Sequence, residues 1–464
     1  MQPAHGFANR IQELAFLERM FARDSSQFLV LWGRRRVGKT RLIQEFSRGR
    51  RVLYHVGTQS TERLAVEGWS AQAAEFFQDS VLRVQPLQSW EAALAYLTDR
   101  CQRDDSGWGV IFDEFPYLVQ SAARLPSLLQ AAWDGSLKHT RVKLILCGSS
   151  MAMMESIFFS QQAPLYGRRT GQWKVEPFRI EDLALLFPRL NTVALLELYC
   201  VIGGLPMYAE RLDKEAPLLS NIRDHILTKG ELLYEEVPFL LREELREPRV
   251  YQSILSVIAS GAQRFSEISS KTGLDRAHLT GYLASLGELG LVTREVPVTE
   301  DHPEKSRRGR YILNDPFVRF WYRFVYPNFS RLEAGDVEGV LCQVIEPQLR
   351  DYTSLHVEMP LASMCQRGLL RGSIPFEPAY VGRHWSAQEE FDVVAIDHQR
   401  TKAFVAEVKW SERPVSSGLL EALRQRIATC EALRGLEVTP AVISRSGFRD
   451  HPKAGDLLID LSTL

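Results

Sequence analysis

A run of eight residues near the start of the chain has the spacing of a phosphate-binding loop. It fits the pattern GxxxxGK[ST] and consists of Gly33, Arg34, Arg35, Arg36, Val37, Gly38, Lys39 and Thr40. An apolar, strand-like run precedes it and a helix-like run follows it. Its glycines allow backbone N–H groups to turn towards an anion, and the helix dipole adds positive potential. We predict that the loop binds nucleotide phosphates, with Lys39 reaching the β- and γ-phosphates and the Thr40 hydroxyl binding Mg²⁺.

Two acidic residues follow a second apolar run, which spans residues 108–112. Such a run is typical of a buried parallel strand, and open α/β sheets bind their ligands at the carboxyl ends of these strands. We predict that Asp113 holds Mg²⁺, through water, and that Glu114 polarises the attacking water. Alone, the pair also fits an acidic turn after a core strand. The phosphate loop on the same chain favours the catalytic interpretation.

Three further groups are candidates for the nucleotide site. Ser149 closely follows a strand-like run, so it either senses the γ-phosphate and the lytic water or caps a helix. Arg168 and Arg169 follow a glycine and suit a finger that neutralises transition-state charge, although a salt-bridged loop explains them equally well. Asn9 and Arg10 open the first helix, where they either flank the adenine or pack on the sheet edge.

Near the C-terminal end, two strand-like runs carry Asp392 in the first and Glu407 and Lys409 in the second. If the runs pair as a hairpin, the two carboxylates converge on one metal ion, and alternation places Glu407 and Lys409 on the same face. Glu346, on a preceding helix, is a candidate fourth member. This arrangement resembles the PD-(D/E)xK nuclease fold, which implies metal-dependent hydrolysis of phosphodiesters. The alternative is a degenerate domain that kept the fold for binding.

The middle of the chain has a helix–helix–helix–hairpin pattern that resembles a winged helix-turn-helix. In such a module Arg276, His278 and Thr280 face a major groove, and the basic tip at residues 305–310 grips phosphates. The alternative is a lid or docking surface with a solvated, charged tip.

Composition and charge bound these interpretations. The chain has 464 residues, of which 45% are hydrophobic and 24% charged, and its formal net charge is −1. Any contact with nucleic acid therefore relies on local patches. No apolar run is long enough to span a bilayer, and the N-terminal residues lack the features of a signal peptide, so we expect a cytoplasmic protein without a membrane partner. The six scattered cysteines form no CxxC pair, which argues against structural zinc.

The order of strand-like and helix-like runs predicts four domains. Residues 1–178 alternate between strands and helices and predict an α/β P-loop NTPase domain with a three-layer parallel sheet. Residues 179–248 predict a helical lid, and residues 249–330 the winged helix. Residues 335–464 mix both element types and predict an α+β, restriction-endonuclease-like domain.

The motifs together resemble the archaeal and bacterial ATPase family that is related to the AAA+ and STAND NTPases. The resemblance covers nearly the whole chain and rests on six short segments, at residues 7–10, 32–40, 112–115, 147–150, 165–170 and 203–206. It implies ATP as the nucleotide, a helical lid, a winged helix and a C-terminal nuclease-like domain. It assigns no chemistry to the glycine pair of the last segment.

These observations predict an ATP-binding and ATP-hydrolysing protein that acts on nucleic acid, DNA in the first instance. ATP and Mg²⁺ are the expected cofactors, and a metal-dependent nuclease site gated by ATP is the expected output. If the chain assembles as AAA+ proteins do, it forms a homo-oligomer. The alternative is an ATP-dependent signalling switch or scaffold whose C-terminal domain binds a partner and cuts nothing.

Overall fold

The computed structural model describes residues 9–104, 106–370, 374–450 and 455–464. The chain forms two compact units. The first comprises Met1–Phe178 with Leu205–Met207, and the second comprises Arg179–Gly204 with Tyr208–Leu464. Among the described residues, no helix is both long and apolar enough to cross a membrane.

The first unit alternates between strands and helices. Its strands are β1 (Gln27–Trp32), β2 (Val52–Val56), β3 (Gly109–Asp113), β4 (Lys143–Gly148) and β5 (Gly171–Lys174). Its helices are α1 (Ile11–Phe21), α2 (Lys39–Ser47), α3 (Glu62–Phe76), α4 (Ser80–Val84), α5 (Trp90–Arg103), α6 (Phe115–Ser121), α7 (Leu125–Gly135) and α8 (Met151–Met154).

The strands of the first unit form one sheet in the order β2-β3-β4-β1-β5, and every neighbouring pair is parallel. Strands β3 and β4 are buried along their whole length, because helices cover both faces, as parallel sheets require. The predicted parallel α/β sheet is therefore confirmed. The order places β4 between β1 and β3, so the residues that follow these three strands lie side by side at one sheet edge.

The second unit begins with helices and ends with a sheet. Its helices are α9 (Ile180–Leu186), α10 (Thr192–Ile202), α11 (Pro206–Arg211, which starts in the first unit), α12 (Leu218–Asn221), α13 (Glu236–Glu244), α14 (Pro248–Ala259), α15 (Phe265–Thr272), α16 (Arg276–Glu288), α17 (Pro316–Phe320), α18 (Phe329–Glu333), α19 (Val337–Val340), α20 (Glu346–His356), α21 (Glu358–Gln366) and α22 (Leu419–Thr429). Its strands are β6 (Val292–Glu295), β7 (Arg310–Leu313), β8 (Pro378–Trp385), β9 (Glu390–Asp397), β10 (Lys402–Lys409), β11 (Glu437–Ser444) and β12 (Leu457–Asp460).

Helices α14 to α16 and the antiparallel hairpin β6–β7 follow one another in the order that the sequence indicates. Gly273 ends α15 with a φ of 71°, a backbone conformation that favours glycine. Asp275 caps α16 by accepting a hydrogen bond from the backbone N–H of His278 at 2.9 Å. The winged-helix assignment of this module stays a prediction.

The C-terminal sheet is mixed and has the order β12-β11-β10-β9-β8. Strands β8, β9 and β10 are antiparallel neighbours, whereas β11 lies parallel to β10 and to β12. Helix α22 connects β10 to β11, as a parallel crossover requires. Its residues Leu420 and Leu423 pack with Val394, Val405 and Val442 of the sheet in one buried core.

Candidate functional site

The phosphate-binding loop needs both of its glycines. Gly33 has a φ of 151°, and a Cβ on it would lie 2.4 Å from the carbonyl oxygen of Val175, which is far inside van der Waals contact. Gly38 has a φ of 90° and begins α2, whose first turn has no side-chain cap. The backbone N–H groups of that turn therefore point into the loop without a capping side chain, which is the arrangement that binds phosphate at a helix N-terminus.

Lys39 is folded into the loop. Its ammonium donates to the carbonyl oxygens of Gly33 and Arg34, both at 2.8 Å, and its side chain is only 5% exposed. Thr40 follows on the first turn of α2 and is exposed. The positive charge and the hydroxyl that phosphate and Mg²⁺ require are thus adjacent on one turn.

Arg10 ties the start of α1 to the loop. Its guanidinium donates to the carbonyl oxygens of Val37 at 2.7 Å and Glu176 at 2.8 Å, and it pairs with Glu13 at 2.9 Å. It also lies 4.6 Å from the ring centroid of Phe178. Asn9 precedes it and is partly buried. Arg10 is therefore a buried residue that supports the loop, a role that sequence reasoning missed because the two carbonyl groups it contacts belong to segments far away in the chain.

Asp113 lies at the carboxyl end of β3 and is 1% exposed. One carboxylate oxygen accepts from the Tyr54 hydroxyl at 2.7 Å, and the other accepts from the backbone N–H of Glu114 at 3.0 Å. Burial, together with the charge of Asp113, raises the pKa of Tyr54 well above its usual value. Tyr54 therefore stays a donor that orients the carboxylate. Sequence reasoning missed it, since only the pairing of β2 with β3 brings the two together.

Glu114 and Ser149 meet at the same edge. The Ser149 hydroxyl, directly after β4, donates to the Glu114 carboxylate at 2.8 Å. Glu114 has a left-handed backbone with a φ of 50°, which turns its side chain at the start of α6. A Cβ on Gly57 would lie 2.5 Å from the Glu114 carbonyl oxygen, so the backbone that follows β2 packs closely against this turn and holds it in place. The structure therefore brings Asp113, Glu114 and Ser149 together.

Arg168 and Arg169 have different surroundings. Arg168 pairs with the Asp134 carboxylate at 3.0 Å and donates to the Tyr166 carbonyl at 2.9 Å. Arg169 donates to the carbonyl oxygen of Phe158 at 2.7 Å and stacks on Phe159. The structure thus distinguishes two residues that the sequence did not, and it gives each a partner within the first unit.

The second half of the 203–206 segment lies beside the phosphate-binding loop. Leu205–Met207 belongs to the first unit, and a Cβ on Gly38 would lie 3.9 Å from the Cγ atom of Pro206. The proline ring therefore borders the start of α2, a neighbourhood that nothing in the local sequence indicates.

Comparison with known proteins agrees with this geometry. A family model described as "ATPase domain predominantly from Archaea" matches residues 7–212, and one described as "Archaea bacterial proteins of unknown function" matches residues 321–423. An uncharacterized protein of Methanocaldococcus jannaschii is 32% identical over 413 residues, which is 88% of each chain. The chain belongs to this archaeal ATPase family.

Two further similarities concern the nucleotide-binding region. An uncharacterized ATP-binding protein of the same organism is 46% identical over 46 residues, covering 10% of this chain and 78% of that protein. The Walker-type ATPase of Pyrococcus abyssi superposes with a TM-score of 0.51 at 21% identity, over 69% of this chain and 97% of that one. The latter likeness shows a shared fold. The protein is an ATPase with a P-loop NTPase fold.

The C-terminal sheet of this ATPase brings Asp392 opposite Glu407. The register of β9 with β10 ends at Val393 and Ala406, and one further step pairs the two acids. The Asp392 carboxylate accepts from the backbone N–H of Val408 at 2.7 Å. Burial is the main reason that the pKa of Asp392 rises to about 6, and the nearby Glu407 charge adds to it. Burial beside the charge of Glu407 thus disfavours the ionised form of Asp392.

Cationic side chains surround Glu407. Lys409 donates to one carboxylate oxygen at 2.7 Å, and Arg426 on α22 donates to the other at 2.9 Å. Arg426 also pairs with Glu389 at 2.9 Å. Alternation along β10 predicts the first of these neighbours, whereas Arg426 was missed because its position depends on how α22 crosses the sheet.

The acidic residue that a helix supplies to this region differs from the one predicted. Glu346 is exposed at the start of α20. Glu358, the first residue of α21, is instead the acid that interacts electrostatically with this site, since burial and then the charge of Asp392 raise its pKa to about 7. Glu358 also pairs with Arg383 at 3.2 Å. Sequence reasoning missed Glu358 because both acids begin a helix, and only packing shows which helix lies against β9.

The metal ligands predicted for the C-terminal sheet do not form a cluster in this structure. Within the described ranges, no group of three or more His, Cys, Asp or Glu side chains is close enough together to hold a metal ion. The trio Asp392, Glu407 and Glu346 is therefore not assembled. The acidic pair and Lys409 are nevertheless adjacent.

The predicted groove-facing residues Arg276, His278 and Thr280 are all exposed on α16. The His278 ring pairs with the Asp275 carboxylate at 2.7 Å. At the hairpin tip the four basic residues fall into two classes. Two of them form ion pairs: Arg308 with Glu300 at 2.6 Å and Arg310 with Glu390 at 3.5 Å. The other two, Lys305 and Arg307, are exposed and form no ion pair within the described part of the chain.

Proposed function

We propose that this ATPase hydrolyses ATP with Mg²⁺ at the sheet edge where the phosphate-binding loop, Asp113, Glu114 and Ser149 meet. The observation that carries the proposal is the 2.8 Å hydrogen bond from Ser149 to Glu114, beside the buried Asp113. It holds a carboxylate in a fixed position next to the loop that receives the phosphates. A fixed base at a phosphate site is what attack by water requires.

Each residue of this site has a role that follows from its position. Backbone N–H groups of the loop and the ammonium of Lys39 bind the phosphates, since both lie at the start of α2. Thr40 and Asp113 supply the oxygen ligands that Mg²⁺ prefers, and this ion neutralises charge on the phosphate oxygens when it is bound. The Tyr54 hydroxyl keeps the Asp113 carboxylate oriented.

Glu114 orients the attacking water, and Ser149 orients Glu114. Because the Ser149 hydroxyl donates to that carboxylate, it holds the carboxylate in one orientation, from which it can accept a proton from water. Ser149 is therefore a positioning residue with respect to Glu114.

Glu114→Gln tests this proposal against a matched control. The variant should bind ATP as the unmodified protein does and lose at least about 100-fold in turnover, because it keeps the shape of the side chain and removes the base. Glu67→Gln changes a partly buried acid on α3 whose ion-pair partner, among the residues that the structure describes, is the exposed Arg63, so its turnover should stay unchanged. Wild-type turnover by Glu114→Gln would contradict the assignment.

A second candidate function concerns the C-terminal sheet. We propose that the Asp392–Glu407–Lys409 group acts on the phosphodiester backbone of nucleic acid, DNA in the first instance, and that the ATPase cycle gates it. The supporting observation is the adjacency of two acids and a lysine on paired strands. Asp392 and Glu407 would hold the divalent ion, and Lys409 would support charge on the phosphate.

The rival proposal is a binding module that cuts nothing. It is favoured by the two cations on Glu407, since Lys409 and Arg426 already neutralise the carboxylate that a metal ion would use. In that case the ATPase is a switch or scaffold, and the basic side chains at this site bind a phosphate group of the partner directly.

Calorimetry of the full chain with Mn²⁺ and a cleavage assay separate the two proposals. Under the nuclease proposal, Asp392→Ala loses Mn²⁺ binding at this site, whereas Lys409→Ala keeps the metal and loses cleavage. The Lys39→Ala background removes the contribution of the nucleotide site. Nucleic-acid binding without Mn²⁺ binding or cleavage would select the binding module.

A further inference from the structure

The second unit contains a cavity of about 530 Å³, and its lining residues do not include Asp392, Glu407 or Lys409. Its walls come from the end of α14, strands β7 and β8, helix α17 with the π-helical segment Trp321–Val325 that continues it, and helices α20 and α21. A volume of this size accommodates a small molecule up to the size of a nucleotide.

Two arginines in the cavity wall lack an anionic partner among the described residues. Arg319 and Arg323 are four residues apart, so they lie on one face of their helical segment. Arg319 donates to the carbonyl oxygen of Leu313 at 2.9 and 3.1 Å, and Arg323 donates to the amide oxygen of Gln348 at 2.7 Å. Within the part of the chain that the structure describes, neither forms an ion pair with a carboxylate.

The remaining charged groups of the wall do not neutralise this pair. Arg383 is already occupied, because it pairs with Glu295 at 2.6 Å and Glu358 at 3.2 Å. Asp351 is the acid among the lining residues, but its side chain is 76% exposed and lies 3.4 Å from Arg350. The wall therefore carries an excess of positive charge.

The pKa of His356 responds to this excess of positive charge. It lies in the wall with its ring 4.5 Å from that of Tyr352. Burial and the charges of Arg319, Arg383 and Arg323 lower the pKa of His356 to about 2, so that the imidazole stays neutral. A neutral ring adds both a donor and an acceptor to the cavity and no charge.

We infer that this cavity binds a small molecule bearing a phosphate or diphosphate group, with Arg319 and Arg323 as its ligands. The planar guanidinium matches phosphate oxygens through paired hydrogen bonds, and two guanidinium groups one helical turn apart match a diphosphate. Arg319 and Arg323 keep N–H groups beyond those given to Leu313 and Gln348, because each guanidinium has five donors. The site is distinct from the nucleotide loop of the first unit, and it stands whether or not the C-terminal sheet cleaves nucleic acid.

Calorimetric titration of pyrophosphate into the full chain tests the inference. Every protein in the series carries Lys39→Ala, which weakens binding at the nucleotide loop. We expect saturable binding with one site, weakened about three- to tenfold by Arg323→Gln and at least about tenfold by Arg319→Gln/Arg323→Gln.

The control is the double variant Arg331→Gln/Arg350→Gln. It removes the same charge from nearby helical segments that do not line the cavity, so its affinity should remain within about twofold of the background protein. Thermal unfolding checks that each variant is folded, and the exposed Arg323 allows the single variant to decide the matter if the double variant does not fold.

Three results would overturn the inference. The first is the absence of pyrophosphate binding to the background protein. The second is equal affinity of the Arg323→Gln protein and the control. The third is tighter binding of citrate than of pyrophosphate, because it would assign the cavity to carboxylates and not to phosphates.

Discussion

Gly57 offers the sharpest test of how the carboxylate of Glu114, the proposed hydrolytic residue, is positioned. It is remote from the phosphate-binding loop in sequence and has no side chain to take part in chemistry. A Cβ at this position would lie 2.5 Å from the carbonyl oxygen of Glu114 and 3.0 Å from Cγ of Leu118, whereas ordinary contacts begin at 3.4 Å. Gly57→Ala therefore forces the backbone at Glu114 away by about 0.9 Å, because the loop at Gly57 is itself held by a 2.8 Å hydrogen bond to the Asp113 carbonyl.

The expected loss of turnover follows from that displacement. A misplacement of about 1 Å in a catalytic group lowers rates by about 100-fold, so we expect a 10- to 100-fold lower kcat for Gly57→Ala. ATP affinity should change little, since Lys39 and the loop glycines are not displaced. The overpacking should also lower the free energy of unfolding by about 1–3 kcal/mol.

Gly135→Ala is the matched control. Gly135 is the last residue of α7, and a Cβ there would meet nothing within 4 Å. The same chemical change should leave turnover unaltered and stabilise the protein by up to about 1 kcal/mol, because alanine favours helices over glycine. Steady-state ATP hydrolysis and urea unfolding measure both quantities. A folded Gly57→Ala protein with wild-type kcat would refute the argument that Glu114 must stay where the structure has it.

Three further outcomes are expected. If Arg168 acts on a nucleotide in a neighbouring subunit, mixing Arg168→Ala protein with Lys39→Ala protein should restore ATP hydrolysis; no recovery at any ratio would favour a monomeric switch. Reversing the two hairpin-tip charges without ion pairs among the described residues, at Lys305 and Arg307, should reduce the slope of log affinity for DNA against log salt by about two, and an unchanged slope would assign the hairpin to docking. The buried Asp392 has its pKa raised from 3.8 to about 6, so it destabilises the folded state increasingly as the pH rises through this range; Asp392→Asn should therefore raise the free energy of unfolding by about 1–3 kcal/mol at pH 7.5, with the gain vanishing towards pH 4 in urea titrations without added metal.

The placement of the proposed nucleotide-site residues was predictable because its signals are local. The glycine spacing at residues 33–40 and the apolar runs before Asp113 and Ser149 each identify a strand and the polar residues at its carboxyl end. Parallel strands then bring those three positions to one edge without further information. Alternation likewise indicated that Glu407 and Lys409 share a face of β10.

The neighbours of these groups were not predictable, since they come from elements far away in the chain. Tyr54 reaches Asp113 from β2, and Arg426 reaches Glu407 from a crossover helix. The sequence indicated Glu346 and not Glu358 for the same reason. Two acids that begin successive helices look alike in sequence, and the difference between them lies in which helix packs on the sheet.

The buried contacts of Arg10 set a limit on where the ATPase region can be cut. Its guanidinium satisfies the carbonyl oxygens of Val37 and Glu176, so a shortened chain that begins at Ile11 would leave both without this donor. An unsatisfied buried polar group destabilises by about 1–3 kcal/mol, and one of these two belongs to the phosphate-binding loop itself. Truncations and N-terminal fusions should therefore keep Arg10. A loss of nucleotide affinity when Arg10 is removed would report the loss of a support for the loop and not the loss of a residue that binds the nucleotide.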